Sequence, residues 1–166
     1  MSQKERINWG QENNINFNQI ETTLGFSIHN DLKEFYTKNT FVTFDYECTI
    51  DKKYLAVSIN KNNWFEDSDK IWVELLGNEP LDKFVKIIIR NFDQNAIYGN
   101  SDKKYETRYM LGFLEDERGQ IGLYFNNDTG EVDWCDFEYG EDPWEANPRG
   151  IISSSIKGFI DLLEYE

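Results

Sequence analysis

Two strand-like runs, Ile121–Phe125 and Glu131–Phe137, are separated by Asn126-Asn127-Asp128-Thr129-Gly130. That punctuation leaves one simple local structure, a β-hairpin. Asn, Asp and Gly tolerate the backbone conformations of tight turns, and Gly130 suits the left-handed position of a hairpin bulge. In the returning strand, Val132 and Trp134 point one way while Glu131, Asp133 and Cys135 point the other. Trp134 is therefore expected in the core.

The same period of two runs through Phe41–Ile50, where Val42, Phe44, Tyr46, Cys48 and Ile50 alternate with polar residues. This predicts a half-buried strand. Asp51-Lys52-Lys53 reads as a turn, with Tyr54–Ile59 returning as the hairpin partner. Ile71–Leu76 fits a strand or a helix, and Thr107–Leu114 fits a strand. The spacing differs elsewhere. Asn16–Leu24 sets Phe17, Ile20 and Leu24 on one helical face, with Gly25 where a C′ glycine belongs. A second helix is expected from Asn30 as N-cap, with Asp31 in its first turn and Leu32, Phe35 and Tyr36 on its apolar face. From Pro80, Leu81, Phe84, Val85, Ile88 and Ile89 recur at helical spacing. A closing helix from about Ser154 would bury Ile156, Phe159, Ile160 and Leu163. Helices at both ends of a strand-rich middle predict an α+β fold, mainly an antiparallel sheet flanked by N-terminal helices and a C-terminal helix. At 166 residues the chain suits a single domain, 1–166.

Charge narrows the partners. The net charge is −14, and the stretch 119–148 alone holds eight carboxylates with no Lys or Arg. Nucleic acid and anionic membrane surfaces both require basic residues, so neither is an expected ligand. No apolar run approaches the roughly 20 residues of a membrane span, and the N-terminus has no apolar signal-peptide core. Cys48 and Cys135 lie among apolar neighbours. Buried free thiols and a reducing, cytoplasmic setting are expected.

Catalytic signatures are weak. One His and two separated Cys do not make a zinc set, and His29 is expected to be an exposed, structurally idle side chain before the Asn30 cap. No Gly-x-Ser-x-Gly elbow, phosphate-binding Gly-rich loop or dinucleotide fingerprint occurs. Oxygen ligands for Mg²⁺ or Ca²⁺ are present in the acidic stretch, yet the turn already accounts for Asp128 and Gly130 and the calcium-loop pattern is not met. No metal, cofactor or catalytic residue is assigned. The acids are instead interleaved with Trp134, Phe137, Tyr139 and Trp144. Aromatic anchors and a strong negative field suit capture of a basic protein. The candidate partner-binding residues are Asp128, Glu131, Asp133, Asp136, Glu138, Glu141, Asp142, Trp144 and Glu145.

The opening, FNQIETTLGFSIHNDLKEFYTKN, resembles the start of the SUKH superfamily, in which a short helix ending in Leu-Gly leads to a second helix carrying Phe-Tyr or Phe-Leu. The closing half is similar again, in its strand, Asn-x-x-Gly-Glu-Val-type hairpin, strand, loop and Ser-x-x-x-Phe-x-x-x-Leu helix. His29 stands where the family has Pro, Asn39-Thr40 replaces a usual Asn-Gly, and residues 60–100 align with nothing in it. The resemblance implies a single α+β domain, mostly bacterial, acting as an immunity protein that blocks a cognate toxin such as a nuclease or deaminase, with no catalytic residues of its own. Two other classes fit the residues less well. One is an intracellular scaffold or regulatory binding module, as in the translocon-associated and fungal cell-wall branches of that superfamily. The other is a carboxylate-based, metal-dependent hydrolase.

Overall fold

The computed structural model describes residues 15–39, 48–55, 65, 69–75, 85–92, 108–117, 119–136 and 148–165. The fold is α+β, dominated by a seven-stranded antiparallel sheet. Helix α1 (Phe17–Leu24) starts at Asn16, whose side chain accepts from the Gln19 N–H at 3.2 Å. It stops at Gly25, where φ is 81° and the N–H donates to the Glu21 carbonyl at 2.8 Å. A β-carbon is disfavoured in that conformation, so the glycine is the natural stop. Helix α2 spans Asn30–Asn39. Its cap is His29 rather than the expected Asn30. The His29 carbonyl receives the N–H groups of Leu32 and Lys33, and its Nδ1 accepts from the Asp31 N–H at 3.1 Å.

Strands β1 (Cys48–Asp51), β2 (Lys70–Leu75), β3 (Arg108–Asp116), β4 (Gly119–Asn126), β5 (Val132–Cys135) and β6 (Arg149–Ser153) pair in chain order as a meander. Strand β7 (Leu163–Tyr165) then pairs with β1 at the far edge. Between β1 and β2 lies a 3₁₀ turn, Lys52–Tyr54, capped by the Asp51 side chain. Tyr54 thus belongs to the turn, and the described partners of β1 are β2 and β7, not a strand starting at Tyr54. Residues 41–47 and 56–59, also assigned to strands by periodicity, lie outside the described residues, as do 81–84 at the start of the expected Pro80 helix. That helix, α3, is seen over residues 85–92, burying Ile87, Ile88 and Phe92.

Helix α4 (Ile156–Leu162) is capped by Ser155, whose hydroxyl accepts from the Gly158 N–H at 2.9 Å. It buries Ile156 and Phe159. The expected last turn is replaced, with Leu163 turning into β7. This short connection forces the sheet to curl. Seven strands spaced about 4.8 Å apart would put the edges of a flat sheet about 29 Å apart. From Ser153 to Leu163 the chain, about four extended steps and a short helix, reaches at most about 23 Å. The sheet therefore bends around α4, which lies against β6 and α2.

Inside the curl sits the core: Ile20, Leu32 and Tyr36 from the N-terminal helices, Tyr109, Leu111, Leu123, Phe125 and Trp134 from the sheet, and Phe159 from α4. Trp134 is fully enclosed, as its alternation predicts, with Phe65 edge-on at 4.8 Å. On the opposite face a smaller cluster joins Met110, Tyr124 and Cys135, with Phe113 against it. Tyr124 lies along the strand across Gly122, where a β-carbon would come within 2.4 Å of its ring. Among the described residues, no helix is long and apolar enough to cross a membrane.

Candidate protein-binding surface

The β4–β5 hairpin is built as its residues dictate. Asn126 Oδ1 accepts from the Asp128 and Thr129 N–H groups at 3.0 and 3.3 Å, a local turn bond that Asn makes readily. The Gly130 N–H donates to the Asn126 carbonyl at 2.8 Å, and Gly130 has a φ of 80°. Asn127 pins this tip to the segment before α2. Its Oδ1 accepts from the His29 N–H at 2.8 Å, and its Nδ2 donates to the Ser27 carbonyl, also at 2.8 Å. The half-buried His29 ring sits edge-on to Phe125 at 5.5 Å. His29 is thus a structural joint, not the idle exposed side chain its position suggested. Asp128 stands exposed on this rigid tip, with Glu131 half-buried beside it. The Thr129 hydroxyl donates to Glu131 Oε2 at 3.2 Å.

Asp133 and Asp136 are placed differently from their expected role on an accessible acidic face. They are only 5% and 4% exposed. Alternation assigns Asp133 to the correct face of β5, but that face is buried as well as the core face. Arg108 reaches Asp133 Oδ2 through Nε at 3.1 Å and through a terminal nitrogen at 3.0 Å. Burial pushes the Asp133 carboxyl up to about 7, with Arg108 opposing the shift without cancelling it. Burial also raises the Cys135 thiol, which removes it as a nucleophile at neutral pH. Both cysteines are buried free thiols. Glu138, Glu141, Asp142, Trp144 and Glu145 lie outside the described residues.

A different surface emerges on β2. Its alternation turns Ile71, Val73 and Leu75 inward and leaves Lys70, Trp72 and Glu74 outward. Trp72 is 41% exposed. Directly across from it are Thr49 on β1 and Glu115 on β3. Glu164 follows next to Thr49 and pairs with Lys70 at 3.1 Å. Among the described residues, this outer face thus sets the exposed Trp72 among the exposed Glu74, Glu115 and Glu164, with Thr49 buried beneath and the partly buried Phe113 opposite Glu74. The sequence leaves this surface ambiguous, because Ile71–Leu76 fits either period. The signal was nevertheless present, since a strand would place Trp72 and Glu74 together opposite three aliphatics.

No family model matches the chain, and neither the curated proteins nor the solved structures yield a match.

Proposed function

We propose that this chain is a cytoplasmic, non-catalytic immunity-type protein of the SUKH superfamily that binds and neutralises a cognate basic toxin of nuclease or deaminase chemistry. The observation that supports it most is the charge pattern: eight carboxylates without one base over 119–148, two of which, Asp128 and Glu131, ride a hairpin tip bonded to the start of α2. A nuclease groove is basic because its substrate is a polyanion. An acidic, preformed surface competes for that groove and is steered towards it by long-range attraction. Fixing the tip in advance lowers the ordering cost of binding.

The test is co-expression with the candidate basic toxin, together with a charge reversal of Asp128, Glu131, Glu141 and Asp142 to Lys. Asp133 and Asp136 are left alone, because reversing a buried carboxylate would disturb the fold instead of the surface. The native chain should rescue growth and bind with strong salt dependence. The reversed variant should unfold as cooperatively as the native chain yet fail to bind or rescue. Undiminished affinity in the reversed variant would sink the proposal, and a non-toxic housekeeping partner would turn the reading to a scaffold.

A further inference from the structure

We propose that the open sheet face around Trp72 is a second docking surface, shaped to receive an arginine-bearing segment of a basic protein. The proposal rests on the basic-partner reading but on different residues. The fold does not require a tryptophan here, since the core lies on the opposite face of β2. Trp72 is flanked by Glu115 across the strand and by Glu74 two residues along, with Glu164 one strand beyond Thr49. Lys70 is the one base on this part of the face among the described residues, and it is engaged with Glu164.

A guanidinium matches this arrangement in two ways. Its plane stacks on an indole face, and its fork of donors reaches carboxylates at the ring edge. A second copy of this chain fits poorly, because it would set the same glutamates against one another. The hairpin tip lies at the other end of β4 from Gln120, the residue opposite Glu115. That is about 20 Å along the strand. The two acidic features would therefore grip separate parts of one partner, or act independently.

The experiment is a titration of the ¹⁵N-labelled chain with a hepta-arginine peptide, using hepta-glutamate as control. The Trp72 indole N–H is assigned by its loss in Trp72→Phe. Hepta-arginine should shift that signal together with the amides of Thr49, Glu74 and Glu115, while hepta-glutamate should not. Trp72→Ala, and separately Glu74→Gln with Glu115→Gln, should each weaken binding at least five-fold, with Trp72→Phe intermediate. Shifts confined to residues 126–131, or equal affinity in Trp72→Ala, overturn the proposal. So does self-association that Trp72→Ala abolishes, which would give the face to a second copy. Toxin rescue lost on reversing Asp128 and Glu131 bears on the function alone and leaves this titration unchanged.

Discussion

Arg108 and Asp133 form an ion pair through two nitrogens, at 3.0 and 3.1 Å, on the buried outer side of β3 and β5. Removing one partner of such a pair strands a charge where water cannot reach it. Arg108→Met should therefore destabilise the fold by about 3–5 kcal/mol at pH 8. The loss should shrink at pH 5. The folded carboxyl titrates near 7, above its unfolded value, so its stabilising contribution is full below about pH 4 and fades as pH rises through 7. Denaturant melts of Arg108→Met at the two pH values check this, and equal losses would contradict it. Adding Asp133→Asn to Arg108→Met should recover most of the stability.

Tyr36 and Tyr109 share a hydrogen bond of 2.6 Å inside the core, and Asn91 Nδ2 donates to the Tyr109 hydroxyl at 3.1 Å. Burial raises both phenols, Tyr109 to about 12 and Tyr36 well above its ordinary value. Stability from these groups is complete below pH 10, where unfolded tyrosine is still protonated. It is then lost as pH rises from 10 through 12. The Tyr109 part alone amounts to roughly 2–3 kcal/mol. Thermal melts between pH 9 and 12 should show a steep decline in the native chain. Replacing both residues with Phe should flatten that decline while lowering stability at pH 8.

Asn127 joins two segments that are far apart in the chain, with its amide satisfying the Ser27 carbonyl and the His29 N–H at once. It is 8% exposed, so Asn127→Ala leaves two part-buried backbone groups without this partner. The expected cost is about 2–3 kcal/mol. Asn127→Asp keeps the acceptor for His29 but sets a carboxylate oxygen against the Ser27 carbonyl, and should be no better. Hydrogen exchange at His29 and Asp31 offers the local check. Both amides should lose protection in Asn127→Ala before the central strands do.

What could be read from the residues follows how local each signal is. Helix α1 was legible because Asn16 and Gly25 mark its ends and Phe17, Ile20 and Leu24 mark its face. The β4–β5 hairpin was legible for the same reason, since its turn is written in five consecutive residues. The partner of β1 was not. Strand pairing joins residues distant in sequence, and nothing in Tyr54 or Lys70 ranks one over the other. Asp133 shows a second limit, since alternation tells which face a residue takes but not whether that face is covered. His29 shows a third. An imidazole caps a helix through the same kind of acceptor as Asn, but its cap role depends on Asn127 holding its backbone 98 residues away.

Gly112 permits a close backbone approach between β2 and β3. The register of β3 against β4 shifts between Met110 and Gly112, leaving Leu111 as the extra residue of a bulge. At this point β2 lies so near that a β-carbon on residue 112 would fall 1.9 Å from the Glu74 carbonyl oxygen and 3.0 Å from the Leu75 Cα. Both are backbone atoms and cannot rotate aside. Gly112→Ala must therefore part β2 from β3 or straighten the bulge, at a cost of about 3 kcal/mol or more. Gly25→Ala is the contrasting variant. Its added methyl meets nothing within 4 Å, and its φ of 81° limits the cost to backbone strain, about 1 kcal/mol. Chemical denaturation of the two variants should rank Gly112→Ala well below Gly25→Ala, and the reverse order would mean that β2 and β3 are less tightly apposed than this register requires.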